Sequence, residues 1–197
     1  MRGWYGVVTN YSLPYSLLKK YALSVRFPIE SFGMEGKLAI VDVFGSVNDI
    51  RTDDPFVYSL GTVDGTTFLP KMVALYSTLI KDKPQRIGIS VTMDGFVEVF
   101  GEETGIRILK KNMAIKEKYS SANGAINVLL INRDRVSGRF LSWLSQYSEH
   151  IVEFRPTQRP GVETLYVIKS LLPDFEPSTG VFRFKKGTIE ILPTSQG

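Results

Sequence analysis

Apolar positions along the chain change their period several times, and each change marks an element. Residues 4–10, WYGVVTN, form a short apolar run of the length a buried strand needs. The following YSLPYSLLKKYAL places Leu13, Leu17 and Tyr21 at helical spacing, with Ser12 positioned to cap the helix and Pro14 in its first turn. From Lys37, KLAIVDVFG is too uniformly apolar for a strand with one wet face and predicts a strand covered on both sides, as in parallel sheets.

A polar, turn-rich passage from Ser46 to Thr67 separates this strand from FLPKMVALYSTLIKD, where Leu69, Met72, Val73, Tyr76, Leu79 and Ile80 share one stripe of a helix. RIGISVT, residues 86–92, predicts another strand. A helical region follows, broken at Gly101 and Gly105, with Ile106, Leu109 and Met113 on its stripe. AINVLLINR, 125–133, predicts a further buried strand, and Ser137 a cap for a helix burying Phe140, Leu141, Leu144 and Tyr147. The C-terminal part alternates differently. HIVEFRP, VETLYVIKSLL, GVFRFKK and TIEILP read as strands joined by short connections, an antiparallel extension whose last turn is KKG at 185–187, with Gly187 free to take a positive φ.

Composition narrows the function classes. At 197 residues, with no internal repeat or long linker, the chain is expected to form a single domain, 1–197. The absence of cysteine excludes disulfides, a thiolate nucleophile and the usual structural zinc sites. His150 alone would have to serve any histidine-based triad or metal cluster, and no GxSxG elbow accompanies it. The acidic pairs Asp53–Asp54 and Glu102–Glu103 are chain neighbours that point apart and read as solvated charges. The N-terminal segment lacks a signal-peptide apolar core and no run approaches a membrane span, so the expected location is the cytoplasm, with no membrane partner. A net charge of +4 with both signs interspersed is too mild to indicate a nucleic-acid binder.

Four strand–helix units followed by a hairpin-rich end resemble the RecA superfamily, and more narrowly the KaiC-like archaeal ATPases, from about residue 4 to residue 193. The chain also resembles a smaller, degenerate offshoot from hyperthermophilic archaea. KLAIVDVFGS is similar to the hhhVDxF strand of KaiC-like proteins, and YGVVTN stands where their acid-ended strand would be. The resemblance implies a three-layer α/β fold of P-loop NTPase type: a mostly parallel sheet with a C-terminal antiparallel extension, and the family's first strand and helix missing from these residues.

Each chemical requirement of such an ATPase can then be checked. GxxxxGK[ST], which supplies the amides, lysine and hydroxyl that hold a triphosphate and magnesium, is absent; GMEGKL at 33–38 has the wrong spacing and leads into a strand. Where the resemblance implies a water-activating glutamate the chain has Thr9 and Asn10, neither a base near neutral pH. Ser90 stands where the magnesium-orienting acid of the Walker B strand belongs, with Asp94 shifted into the next loop. Of the family's Lys-x-Arg, Lys169 remains and Leu171 replaces the arginine. The expectation is a degenerate RecA-like domain that is not an ATPase, needs no cofactor or metal, and works as a binding or regulatory module through protein contacts, including self-association, for which a dimer over sheet bared by the missing strand is one route.

Two alternatives have named residues. Open α/β sheets bind ligands at strand carboxyl ends, where Asn10, Asp42, Ser90, Thr92, Asp94 and Asn132 form a polar set able to hold a nucleotide or other small ligand by a non-standard route; the same residues equally suit loop capping. NRDRVSGR brings Arg133, Arg135 and Arg139 together as a nucleic-acid contact, although Asp134 interrupts them and no aromatic side chain interleaves to stack bases.

Overall fold

The computed structural model describes residues 3–119, 125–185 and 188–192. The chain forms two compact units, one built on residues up to 23 and from 27 to 137, the other on 24–26 and from 138 onward.

The first unit follows the βα alternation of the sequence. Its elements are β1 (Tyr5–Asn10), α1 (Tyr15–Ser24), α2 (Ile29–Met34), β2 (Leu38–Asp42), α3 (Val43–Val47), β3 (Val57–Tyr58), α4 (Phe68–Leu79), β4 (Arg86–Val91), α5 (Met93–Phe100), α6 (Glu102–Tyr119) and β5 (Ala125–Leu129). All five strands are parallel, in the order β3-β2-β1-β4-β5. Strand alternation splits the core in two. Val7, Ala39 and Val41 pack with Phe68, Leu69, Phe96 and Ile108 from α4, α5 and α6, while Val8, Leu38 and Ile40 pack with Leu18, Ile29 and Phe56 on the opposite face. Buried on both faces, β2 can be apolar from Leu38 to Val41, as its sequence is.

Several local expectations change. Ser12 does not cap α1: the first helical residue is Tyr15, and Asn10 instead organises the preceding turn, its side-chain oxygen accepting from the Leu13 amide at 3.2 Å. The strand in KLAIVDVFG stops at Asp42, because its carboxylate accepts from the Gly45 amide at 3.1 Å and turns the chain into α3. Gly105 lies inside α6 rather than breaking it. A Cβ there would sit 3.0 Å from the Phe96 ring, so the glycine serves a close approach, and the break falls at Gly101 with φ +73°. β1 lies at the centre of the sheet, paired with β2 and β4. The edges are β3 and β5, and β5 is not the buried strand its sequence suggests: Ile126 is 49% and Leu129 39% exposed.

The second unit contains α7 (Gly138–Tyr147) and an antiparallel meander β6 (Ile151–Pro156), β7 (Val162–Lys169), β8 (Ser178–Lys185) and β9 (Thr188–Leu192), in that order. Phe140 of α7 is fully buried, whereas Tyr147, expected inside, is exposed and lies 5.0 Å from the Trp143 ring. Pairing puts Val152, Phe154, Phe182, Phe184, Ile189 and Ile191 on one face. Phe182 makes edge-on contacts with Phe154 and Phe184 there, yet five of the six side chains are exposed, all but Phe182. Lys185 pairs with Thr188; the turn expected at KKG, Gly187 included, lies outside the described residues. No helix among the described residues is long and apolar enough to cross a membrane.

Candidate functional site at the strand ends

In the strand order β3-β2-β1-β4-β5, the chain winds outward to one side of β1 and then returns to place β4 on its other side. Such a reversal opens a crevice beyond the carboxyl ends of the two central strands, the usual ligand site of an open α/β sheet. Here the crevice lies between the loop after β1 and the loop after β4, and it is filled by the chain itself. Tyr11, 6% exposed, inserts its ring 5.3 Å from Phe96 and 6.3 Å from Phe68; burial pushes its phenol well above the usual range. The next residue, Ser12, donates its amide to the Thr92 hydroxyl at 3.2 Å and lies so close to Gly95 that a Cβ on the glycine would sit 2.5 Å from the Ser12 Cβ.

The six polar residues expected at this edge do gather there, in separate clusters. In the first, the Asn10 amide donates to Asp42 Oδ1 at 2.9 Å and to the Leu13 carbonyl at 2.6 Å; Asn10 is fully buried. Asp42 borders a recess of about 110 Å³ with Arg51, Thr52 and Ser59, room for a few waters. In the second, Asp94 accepts from the Asn132 amide at 3.2 Å and pairs with Arg135 Nη1 at 2.9 Å, its side chain only 3% exposed. Asn132 in turn accepts from the Asp134 amide at 3.1 Å, making a short 3-10 turn over Arg133–Arg135. Thr92 is the strained member: at φ 57° and ψ 58° it occupies a left-handed conformation uncommon for a β-branched residue, held by a 2.6 Å bond from its hydroxyl to the Val91 carbonyl.

Asp42 has its carboxyl raised above the ordinary aspartate value, chiefly by desolvation, with the Gly45 and Asn10 bonds opposing. A carboxyl whose folded value is raised favours the fold when protonated, and that contribution is lost as pH rises through the folded value. Asp42→Asn keeps an acceptor for Gly45 and removes the charge. Its stability relative to the parent is therefore expected to improve as pH climbs from the ordinary carboxylate range to neutrality, in urea melts at several pH values. A flat difference would show that the charge is not being desolvated.

The other chemical candidates also have local partners. Thr9, where the resemblance put a catalytic acid, shares a 2.7 Å hydrogen bond with the Tyr76 hydroxyl. The Gly-Lys of GMEGKL is a turn after α2: Gly36 has φ +66° and Lys37 pairs with Glu35. Arg135 binds Asp94 and Glu98, and neither Arg133 nor Arg139 is free of partners. Within the second unit, Lys169 donates to the Ser145 carbonyl at 2.9 Å at the end of α7, and His150 Nδ1 meets the Ser170 hydroxyl at 2.9 Å. Among the described residues no group of three or more acidic or histidine side chains could hold a metal ion. Sequence reading did not anticipate Tyr11, Ser12 and Gly95 as the residues that fill the crevice. Their only signal was an aromatic and a small residue flanking strand ends, which is not specific.

Neither a protein-family model nor a curated protein matches the chain. Solved structures match by fold. The uncharacterized protein PH0321 from Pyrococcus horikoshii, in complex with an unknown peptide, superposes with a TM-score of 0.75 at 20% identity, over 97% of this chain and 80% of that one. The KaiC-like protein PH0186 from the hyperthermophilic archaeon Pyrococcus horikoshii OT3 gives 0.67 at 14%, over 98% and 78%. The flagellar accessory protein FlaH from Methanocaldococcus jannaschii gives 0.60 at 14%, over 96% and 77%. The chain shares its fold with these three proteins, the KaiC-like PH0186 among them.

Proposed function

We propose that residues 1–197 act as one RecA-like domain without ATPase activity, a binding module that works through protein–protein contacts, self-association among them. The observation that carries this reading is the filled crevice between β1 and β4: Tyr11 and Ser12 occupy the space, and the amide and side chain of Asn10's turn are bonded within the chain rather than turned toward a phosphate. A polyphosphate site needs converging amides, a lysine and a metal-binding hydroxyl, and no such set gathers at this edge among the described residues. Two further points support protein contacts. Val152, Phe154, Phe184, Ile189 and Ile191 leave one sheet face apolar and exposed, the kind of surface that marks an interaction site. A structural neighbour, PH0321, was crystallised with a peptide.

Thermal unfolding with ATP or ADP and magnesium tests the first half: no shift is expected, and a concentration-dependent rise in Tm with new amide shifts at residues 10–13 and 92–95 would overturn it. Sedimentation tests the second. The parent chain is expected to associate as concentration rises, and the double variant Phe154→Asp, Ile191→Asp to remain monomeric. A parent chain that stays monomeric at all concentrations would count against self-association.

A further inference from the structure

On the helical layer of the first unit, away from all six strand-end residues, α4 and α6 border a cavity of about 400 Å³, within the size range of small-molecule sites. Its floor is hydrocarbon: Leu69, Pro70 and Val73 from α4, Ile108 and Ile115 from α6. Leu69 and Ile108 belong to the buried core, so the cavity is an inlet into that layer rather than a surface dimple. Arg107 and Lys111, one helical turn apart on α6, stand on its wall. Among the described residues no acidic side chain lines it, and neither cation makes an ion pair with one of them. Gly65 and Thr66 line the cavity as well; a Cβ on Gly65 would lie 2.6 Å from Thr104 Cγ2, which holds this loop against α6. The amides leading into α4 are already used: Thr66 and Thr67 donate to the Asp64 carboxylate at 2.7 and 2.9 Å, and Phe68 to the Asp64 carbonyl at 3.0 Å.

We propose that this inlet binds a small anionic amphiphile, an acyl or aryl chain ending in a carboxylate or phosphate. A neutral apolar molecule would fill the floor and leave two cations facing low-dielectric surface. A bare inorganic anion would meet the cations and leave the hydrocarbon floor exposed. Only a molecule with both parts satisfies both walls, the chain contributing through apolar burial and the head through Arg107 and Lys111. The site is independent of the strand-end reading and shares no residue with it.

The test is a ¹H–¹⁵N titration of the full chain with decanoate, with decanol and inorganic phosphate as separate probes. Decanoate is expected to give saturable shifts confined to residues 65–73 and 107–115, with affinity falling at least about tenfold in the double variant Arg107→Gln, Lys111→Gln. Both side chains are exposed, so this variant is expected to fold. Val73→Trp, which fills the cavity, is expected to abolish the shifts. The proposal fails if decanoate gives no saturable shifts there, if the double variant binds as tightly as the parent, or if decanol or phosphate alone binds as well as decanoate. Shifts at residues 10–13 and 92–95 instead would assign the ligand to the strand ends and equally overturn it.

Discussion

Tyr11→Ala is expected to cost about 3–5 kcal/mol in stability, the range for deleting a large buried aromatic side chain. The ring sits in the aromatic cluster of Phe68, Phe96 and Phe100, where centroids lie 4.7 to 6.3 Å apart, and nothing nearby can collapse into its place without moving α5. Its hydroxyl contributes less. Tyr11→Phe keeps the ring and removes only the hydroxyl, about 1 kcal/mol or less. Urea unfolding followed by circular dichroism separates the two. Equal losses in both variants would mean that the hydroxyl, and not packing, holds the loop after β1 against the sheet. Tyr11→Ala also removes the side chain that fills the crevice, so it is the variant in which nucleotide or other small ligands should be tried again.

Gly95→Val acts on the same closure from the other side. The first side-chain carbon would lie 2.5 Å from Ser12 Cβ and 2.8 Å from its hydroxyl, and 3.3 Å from the Ser12 amide, so backbone as well as side chain must move. Overpacking of this kind costs about 3 kcal/mol, and more where a backbone segment is displaced. Gly138→Ala is the control. A Cβ there meets nothing within 4 Å and the residue has no positive φ, so its Tm should stay within a degree or two of the parent by the size of surface effects. If Gly95→Val melted like the control, the two loops would not be in the contact that fills the crevice.

Both variants bear on why a fold that commonly holds a nucleotide is proposed here to hold none. In an open α/β sheet the crevice is a consequence of strand order, and whether it stays open depends on the loops above it. In this protein Asn10, Tyr11 and Ser12 make that loop a short packed turn. Several polar residues at the edge have partners within the chain: Asp42 caps α3, Asn10 bonds Asp42 and Leu13, and Asp94 bonds Asn132 and Arg135.

The sequence by itself determined the alternation of strands and helices, the buried character of β2 and the antiparallel C-terminal strands, because each follows from hydrophobic period, which is local along the chain; the KaiC-like fold was implied by the resemblance of KLAIVDVFGS and the element order to that family. It also placed Asn10, Asp42, Ser90, Thr92, Asp94 and Asn132 at one edge, since every parallel strand ends on the same side. Tertiary structure alone decided what those residues touch. The 2.9 Å bond from Asn10 to Asp42, the pairing of Asp94 with Arg135 and the contact of Gly95 with Ser12 join residues 32, 41 and 83 positions apart, and no period in the sequence reports such distances. The edge position of β5 was hidden for the same reason. An apolar run looks alike whether a neighbour covers it or not, and coverage is a property of the assembled sheet rather than of the strand.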